Sequence, residues 1–130
     1  MFSQAERDSL KRNEACRIAM CHDGIPHVVP VSYIFEHDSF FIATDYETRK
    51  YKKIKANKAA ALVVDIYSSV GNSAVCVQGT DEIIERGQEF ARVYKIFHDR
   101  FEWVKRDAWS EGEAPFVKVT PTSKVSWGLD

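Results

Sequence analysis

The residues best suited to chemistry lie in one basic stretch, residues 48–58, which reads TRKYKKIKANK. Thr48 is a suitable helix N-cap, and Arg49 and Lys50 then fall in the first turn. Cations are unfavourable at a helix N-terminus unless an anion is bound there. A hydroxyl, a guanidinium fork, an ammonium group and unpaired N–H groups together suit a phosphate group. The stretch therefore predicts a phosphate-binding helix start, and a solvated basic helix face is the alternative.

The distribution of charge supports one localised anionic partner. The formal net charge is −1, yet residues 48–58 hold six of the 18 basic residues and no acidic residue. The rest of the chain carries 12 basic and 19 acidic residues. An acidic body repels a polyanion. We therefore expect a small phosphorylated ligand and no nucleic acid.

Length and composition bound the class of protein. The 130 residues, of which 45% are hydrophobic, fit one domain spanning residues 1–130. No apolar run approaches the roughly 20 residues that a membrane helix needs, and no signal peptide is recognisable. The three cysteines form no CxxC pattern, which argues against a metal site and favours thiols in a reducing compartment. We expect a cytoplasmic protein with no membrane partner.

Short strands separated by turns dominate the pattern. Asp23-Gly24 and residues 36–38 predict tight turns, and Ser3 with Glu6 predicts a capping box at the first helix. The predicted helices are a short segment from Ser3, residues 48–57 and residues 88–101. The predicted strands are 16–21, 27–35, 39–44, 59–66, 73–79, 115–119 and 124–127. This order predicts an α+β, mainly β fold: an antiparallel β-barrel with two or three short flanking helices.

The second predicted strand has two unusual features. Pro30 cannot donate a ladder hydrogen bond, so the strand should have a free edge or a break there. Its two faces are both apolar, with Val29 and Val31 on one and Val28 and Ile34 on the other. A barrel wall that faces water on one side needs only one apolar face. We therefore expect a second subunit to cover the other face, as in a homodimer.

Several of these segments together resemble a known family. The most specific is the Ala-Thr-x-x-x-Thr-Arg-Lys block at residues 43–50, and Gly24-x-Pro26, Pro-Val-Ser at 30–32 and Gln78-Gly79 precede or follow it in the expected order. From about residue 14 to 129 the chain resembles the pyridoxamine 5′-phosphate oxidase-like FMN-binding split β-barrel family. The resemblance implies a six-stranded split barrel and a homodimer that binds FMN at the subunit interface.

The resemblance also implies roles for individual residues. Three fall where the family binds the FMN phosphate: Thr48, Arg49 and Lys50. Four fall beside the ribityl chain and the ring: Val31, Ser32, Ala43 and Thr44. Trp127 falls near the position at which the family has an aromatic residue on the last strand. Lys53 follows Lys50 by one helical turn and, from that spacing alone, adds positive charge.

Departures from the family pattern bear on the reaction. Val29 and Ile34 stand where pyridoxamine phosphate oxidase itself has basic residues, and Ala74 stands where it has a glutamine. No arginine or histidine follows Trp127. The implied function is an FMN-dependent oxidoreductase of another small molecule. A deazaflavin-dependent reductase and a non-enzymatic flavin- or haem-binding module are the alternatives. The absence of GxGxxG and GxxxxGK[ST] leaves a Rossmann dinucleotide fold and a P-loop without sequence support.

Overall fold

The computed structural model describes residues 1–44 and 57–129. Within those residues the chain forms six strands and three helices. In chain order they are α1 (Gln4–Arg12), β1 (Ala15–His22), β2 (Ile25–Glu36), β3 (Ser39–Ala43), β4 (Ala59–Ser68), β5 (Gly71–Ile84), α2 (Gly87–Arg100), α3 (Glu102–Arg106) and β6 (Phe116–Trp127). The predicted helix over residues 48–57 falls almost entirely outside the described residues.

The six strands close into an antiparallel barrel in the order β1-β2-β3-β6-β5-β4. The β1-β2-β3 meander follows from two tight turns. Asp23 and Gly24 have φ values of 51° and 75°, and His37 and Asp38 have φ values of 51° and 59°, as two-residue hairpin turns require. Both predicted turns are confirmed, and so is the predicted split barrel.

Alternation along the strands fills the barrel. Even-numbered residues of β1 and β4 and odd-numbered residues of β2 point inward, because successive side chains alternate between the two faces of a sheet. Cys16 is buried and Cys21 exposed, as expected for residues five apart on one strand. Phe2 from the N-terminus packs edge-on against Phe35 in this inner core, with ring centroids 5.3 Å apart.

A second core lies outside the barrel, where α2 and α3 cover β2, β3, β5 and β6. The predicted helical stripe supplies Phe90, Val93, Phe97 and Phe101, all of which are buried. Their partners on the sheet are Ile34, Phe41, Ile84 and Phe116. The stripe is therefore an intramolecular packing surface. Ile34 is covered by the chain's own helices, so it no longer argues for a second subunit.

The last strand differs from the prediction of two separate strands, 115–119 and 124–127. The structure has one strand, Phe116–Trp127, which pairs with β5 along its whole length and shifts register at Gln78/Gly79. The β5 backbone can approach β6 here because residue 79 is glycine: a Cβ atom on it would lie 2.3 Å from the carbonyl oxygen of Thr120. The register shift accommodates Pro121, which lacks an N–H donor. The ladder therefore continues to Trp127.

Helix α1 is anchored through its capping box. The Ser3 hydroxyl accepts from the Glu6 N–H at 3.2 Å, and the Glu6 carboxylate accepts from the Ser3 N–H at 2.7 Å. No helix in residues 1–44 or 57–129 is long and apolar enough to cross a membrane.

Candidate functional site

The barrel opens where β2 and β3 separate. Their ladder ends at the pair Tyr33–Ile42. Beyond it, β3 runs towards β6, and the Thr44 N–H donates to the carbonyl oxygen of Pro115 at 3.2 Å. β2 continues to Ile25 paired with β1. Among the described residues, no strand pairs with the other edge of β2 from Ile25 to Ser32.

This unpaired edge explains how Pro30 fits inside a strand. Hydrogen-bonded pairs alternate in an antiparallel ladder, and the two-residue turn closes on the pair His22–Ile25. The backbone groups of Val28 and Pro30 therefore point away from β1, towards the unpaired edge. The missing N–H of Pro30 costs no ladder bond with β1, and within residues 1–44 and 57–129 the predicted free edge is confirmed. The edge presents backbone groups that a ligand can contact.

Four predicted site residues lie on the two strand ends at the opening. Beyond the last pair, Tyr33–Ile42, the next residues are Ser32 and Val31 on β2 and Ala43 and Thr44 at the end of β3. Val31 packs against the inner core and Ala43 against the outer core, so they fix the two strand ends. All four are partly exposed. The other predicted residues of the phosphate site, Thr48, Arg49, Lys50 and Lys53, lie outside the described residues.

A tryptophan that the sequence analysis did not single out lies at the same place. The Trp103 Nε1 on α3 donates to the Ser32 hydroxyl oxygen at 3.3 Å. The Trp103 ring stacks on that of Trp109, with centroids 6.0 Å apart and an interplanar angle of 13°. Trp109, which follows α3, packs in turn against Tyr94 and Phe116. No sequence signal identified Trp103, because its contact with Ser32 joins residues 71 positions apart.

Trp127 lies at the end of β6, eight residues beyond Val119, the last β6 residue that pairs with β3. Its Nε1 donates to the side-chain oxygen of Asn72 at 2.5 Å, and its β6 position pairs with Ala74. Trp127 is 45% exposed, so its ring is available to another molecule.

A groove of about 410 Å³ lies between these two places, on the outward face of β1, β4, β5 and β6. Small apolar side chains dominate its lining, including Ala19, Val28, Ala61, Val63 and Val125. Val28 is 62% exposed and Val125 63%. At the rim, Arg17 forms an ion pair with Asp65 at 2.6 Å. The outward sheet is therefore an apolar face with a charged margin.

A second groove of about 480 Å³ shares Ala19, Ala61 and Gln78 with the first and extends it to Asn57. The Asn57 side chain donates to the carbonyl oxygen of Cys21 at 2.8 Å and accepts from the Ala59 N–H at 2.9 Å. These contacts fix the point at which β4 begins. The outward face is thus continuous with the end of the basic stretch.

One buried acid lies away from the opening. Asp81 on β5 is 4% exposed, and neither carboxylate oxygen has a hydrogen-bond partner among the described residues. Burial raises the pKa of Asp81 to about 6, against a smaller lowering by Lys58. Because Asp81 is buried in β5, we expect its ionisation to change the stability of the fold with pH.

Comparison with known proteins identifies a matching family and several proteins of similar architecture. A family model described as pyridoxamine 5′-phosphate oxidase matches residues 2–125. No curated protein matches the sequence. Among solved structures, the heme storage protein HutZ from Vibrio cholerae has a TM-score of 0.81 at 11% identity, covering 99% of this chain and 96% of that one.

Two FAD-binding proteins are also similar in structure. The one from Mycobacterium smegmatis has a TM-score of 0.71 at 18% identity, covering 97% of this chain and 94% of that one. The one from Mesorhizobium loti has a TM-score of 0.74 at 19% identity, covering 96% and 92%. The TM-scores of these structures establish a shared fold. Because the family model spans nearly the whole chain, the protein belongs to the pyridoxamine 5′-phosphate oxidase family.

Proposed function

We propose that this protein is an FMN-binding flavoprotein that acts as a homodimeric oxidoreductase on a small molecule other than pyridoxamine phosphate. The observation that carries the proposal is the opening between β2 and β3. There a strand edge without a described partner, a hydroxyl and two strand ends converge immediately before the basic stretch. Family membership and the FAD-binding structural neighbours support a flavin as the ligand.

The phosphate end of the ligand is assigned to Thr48, Arg49 and Lys50, with Lys53 adding charge. These residues lie outside the described part of the chain, so their assignment depends on the sequence and the resemblance. Thr44 lies four residues before Thr48, a separation that the chain spans in at most about 14 Å. A ligand that reaches from the opening to the basic stretch is therefore short, as FMN is.

The ring end of the ligand fits the groups at the opening. An isoalloxazine ring has hydrogen-bond donors and acceptors along one edge, and the β2 edge offers backbone groups at Val28 and Pro30. Ser32 adds a hydroxyl. Once bound, FMN would supply electron and hydride transfer, which the described side chains do not themselves provide. The chain's own contribution is to bind, orient and shield the ring.

The exposed apolar face of the sheet supports the homodimer. Trp127 is 45% exposed at the end of β6, so we assign it to the ligand bound between the two copies. The apolar groove with Val28, Val63 and Val125 is the face that we assign to this second copy. Burial of such side chains stabilises an interface at about 25 cal/mol per Å².

The substrate class follows from the two family positions that lack charge. Val29 packs against the inner core, and Ile34 is 1% exposed beneath the outer helices. Neither position gives a phosphate a counter-charge, and a buried phosphate without one is strongly disfavoured. A neutral, planar reactant that stacks on the ring fits better.

Thiols at Cys21 and Cys76 are compatible with the cytoplasm, where we place the protein.

The first experiment is extraction and identification of the cofactor from protein purified without added ligand, combined with its absorption spectrum. We expect FMN in about one equivalent per chain. A Soret band would favour a haem-binding module instead, as named for HutZ, and a deazaflavin in the extract would favour the reductase alternative. Purified protein that takes up none of these when each is added would overturn the proposal.

A further inference from the structure

The contact between Trp103 and Ser32 joins the outer helices to the mouth of the barrel. Trp103 belongs to the short helix α3, whereas Ser32 lies where the β2–β3 ladder ends. The distance of 3.3 Å from the indole Nε1 to the hydroxyl oxygen is that of a modest hydrogen bond. A site residue is thus held by a side chain from a separate layer.

Trp103 is itself held firmly. Its ring stacks on Trp109 and lies 6.4 Å from the ring of Phe101. Val104, the next residue of α3, is fully buried in the outer core. A tryptophan has two side-chain torsions, and packing on both sides leaves it few alternatives. The direction of its N–H group is therefore set by the fold.

The direction of this hydrogen bond constrains the Ser32 hydroxyl. Indole nitrogen can only donate, so the Ser32 oxygen accepts. The hydroxyl hydrogen must then point away from Trp103, and within residues 1–44 and 57–129 no acceptor receives it. A serine hydroxyl normally both donates and accepts. At this position one donor remains, at the edge of β2 that has no partner among the described residues.

We propose that Trp103 is a positioning residue that aims the Ser32 O–H at an acceptor atom on the edge of a bound flavin ring. The inference rests on the proposed flavin function. It assigns Trp103 a role in setting the reduction potential of the bound flavin, in addition to attaching α3 to the barrel. A donor hydrogen bond of this kind strengthens when the ring gains negative charge on reduction, so it favours the reduced flavin.

The test compares Trp103→Phe, Ser32→Ala and the double variant, with Trp109→Phe as the matched control. Trp109 stacks in the same pair but makes no hydrogen bond to Ser32. We would measure the affinity of each protein for oxidised flavin, the absorption spectrum and the midpoint potential. In Trp103→Phe and Ser32→Ala, the affinity for reduced flavin should fall about tenfold relative to oxidised flavin. For a two-electron couple this lowers the potential by about 30 mV.

The two single changes should not add, because each removes the same aimed donor, and Trp109→Phe should keep the wild-type potential. Ser32→Thr, which retains a hydroxyl, should keep most of the wild-type potential, which would show that loss of folding is not the cause of the shift. Bound flavin with an unchanged potential in Trp103→Phe or in Ser32→Ala would overturn this inference alone. A wild-type protein that binds no flavin would overturn the proposed function and this inference with it.

Discussion

The ammonium group of Lys124 lies 2.7 and 2.9 Å from the two carboxylate oxygens of Glu6, although the residues are 118 positions apart. The Ser126 hydroxyl donates to the same carboxylate at 2.5 Å. Glu6 also completes the capping box of α1, so one buried side chain joins the first helix to the last strand. Burial alone would raise the pKa of Glu6, but the bonds from Lys124, Ser126 and Ser3 lower it to about 2.

Acid should therefore weaken the attachment of α1. The pKa of Glu6 is lowered from 4.5 to about 2 on folding, so its stabilisation is present above pH 4.5 and is lost as the pH falls towards 2. The linked free energy of unfolding is about 3 kcal/mol. Urea unfolding between pH 2 and 7 should show this loss in the wild-type protein and much less of it in Glu6→Gln. An unchanged profile in Glu6→Gln would contradict the assignment.

Removal of Lys124 should be more damaging than removal of both charges. Lys124→Met leaves the Glu6 carboxylate buried without its cation and should lower the free energy of unfolding by roughly 3 kcal/mol at pH 7. The double variant Glu6→Gln/Lys124→Met should recover part of the loss, because no buried charge remains. The comparison is a double-mutant cycle by urea titration, and purely additive losses would show that the two residues do not interact.

Asp81 should have the opposite pH dependence. Its folded pKa is raised from 3.8 to about 6, so ionisation opposes folding, and stability should fall as the pH rises from 3.8 through 6. Asp81→Asn should raise the free energy of unfolding at pH 7.5 by about 1–2 kcal/mol, less than the full linkage because the amide is also polar and buried. Glu82→Gln, at the exposed neighbouring position, is the control. Equal stability of Asp81→Asn and wild type at both pH 4 and pH 7.5 would refute this.

Charge reversal in the basic stretch should weaken flavin binding. Lys50→Glu places a like charge beside a phosphate that carries about −1.5 to −2 charges. Affinity should fall tenfold or more, which corresponds to about 1.4 kcal/mol. Lys95→Glu, on the exposed side of α2, should bind as wild type. Fluorescence titration with FMN measures both, and unchanged affinity in Lys50→Glu would remove the phosphate assignment.

A charge in the apolar groove should dissociate the dimer. Val125→Lys puts an ammonium group on the face assigned to the second copy, whereas Val70→Lys changes an exposed valine outside the groove. Light scattering should give about twice the chain mass of 14.9 kDa for wild type and Val70→Lys, and a single chain mass for Val125→Lys. Wild-type protein that is monomeric at micromolar concentration with flavin bound would contradict the proposed assembly.

Pyridoxamine 5′-phosphate should be a poor substrate, because Val29 and Ile34 offer its phosphate no charge. Steady-state assays with FMN-loaded protein should show turnover far below about 1 s⁻¹, the low end of ordinary enzymes. The same flavin should still be reduced by an external donor and reoxidised. Turnover of pyridoxamine phosphate near 1 s⁻¹ would overturn the substrate argument while leaving the flavin assignment intact.

Local signals in the sequence were sufficient for much of the fold. Asp23-Gly24 predicted its turn because the two-residue hairpin needs positive φ, and the spacing of Phe90, Val93 and Phe97 predicted one face of α2. The single long β6 was not predicted. Pro121 reads as a strand terminator, and only the missing Cβ of Gly79 across the ladder lets the pairing continue.

The candidate site, too, was only partly predictable from the sequence. The positions of Ala43, Thr44 and Ser32 at strand ends could be predicted from motif order, because short turns join the consecutive strands. Trp103 could not, because its contact depends on how α3 packs on β2 and on no local pattern. The distance of Trp127 from Ser32 likewise depends on the order of strands round the ring, which periodicity does not reveal.

Pro30 also bears on solubility. A strand with an unpaired edge can recruit the edge of another molecule and start aggregation. The edge of β2 has a residue at its centre that cannot donate a hydrogen bond, and Pro26 stands near its start. An incoming strand would find an interrupted row of donors, whereas a small ligand needs only one or two of the groups that remain. The same residue that keeps this edge accessible to a cofactor therefore protects the protein from self-association through it.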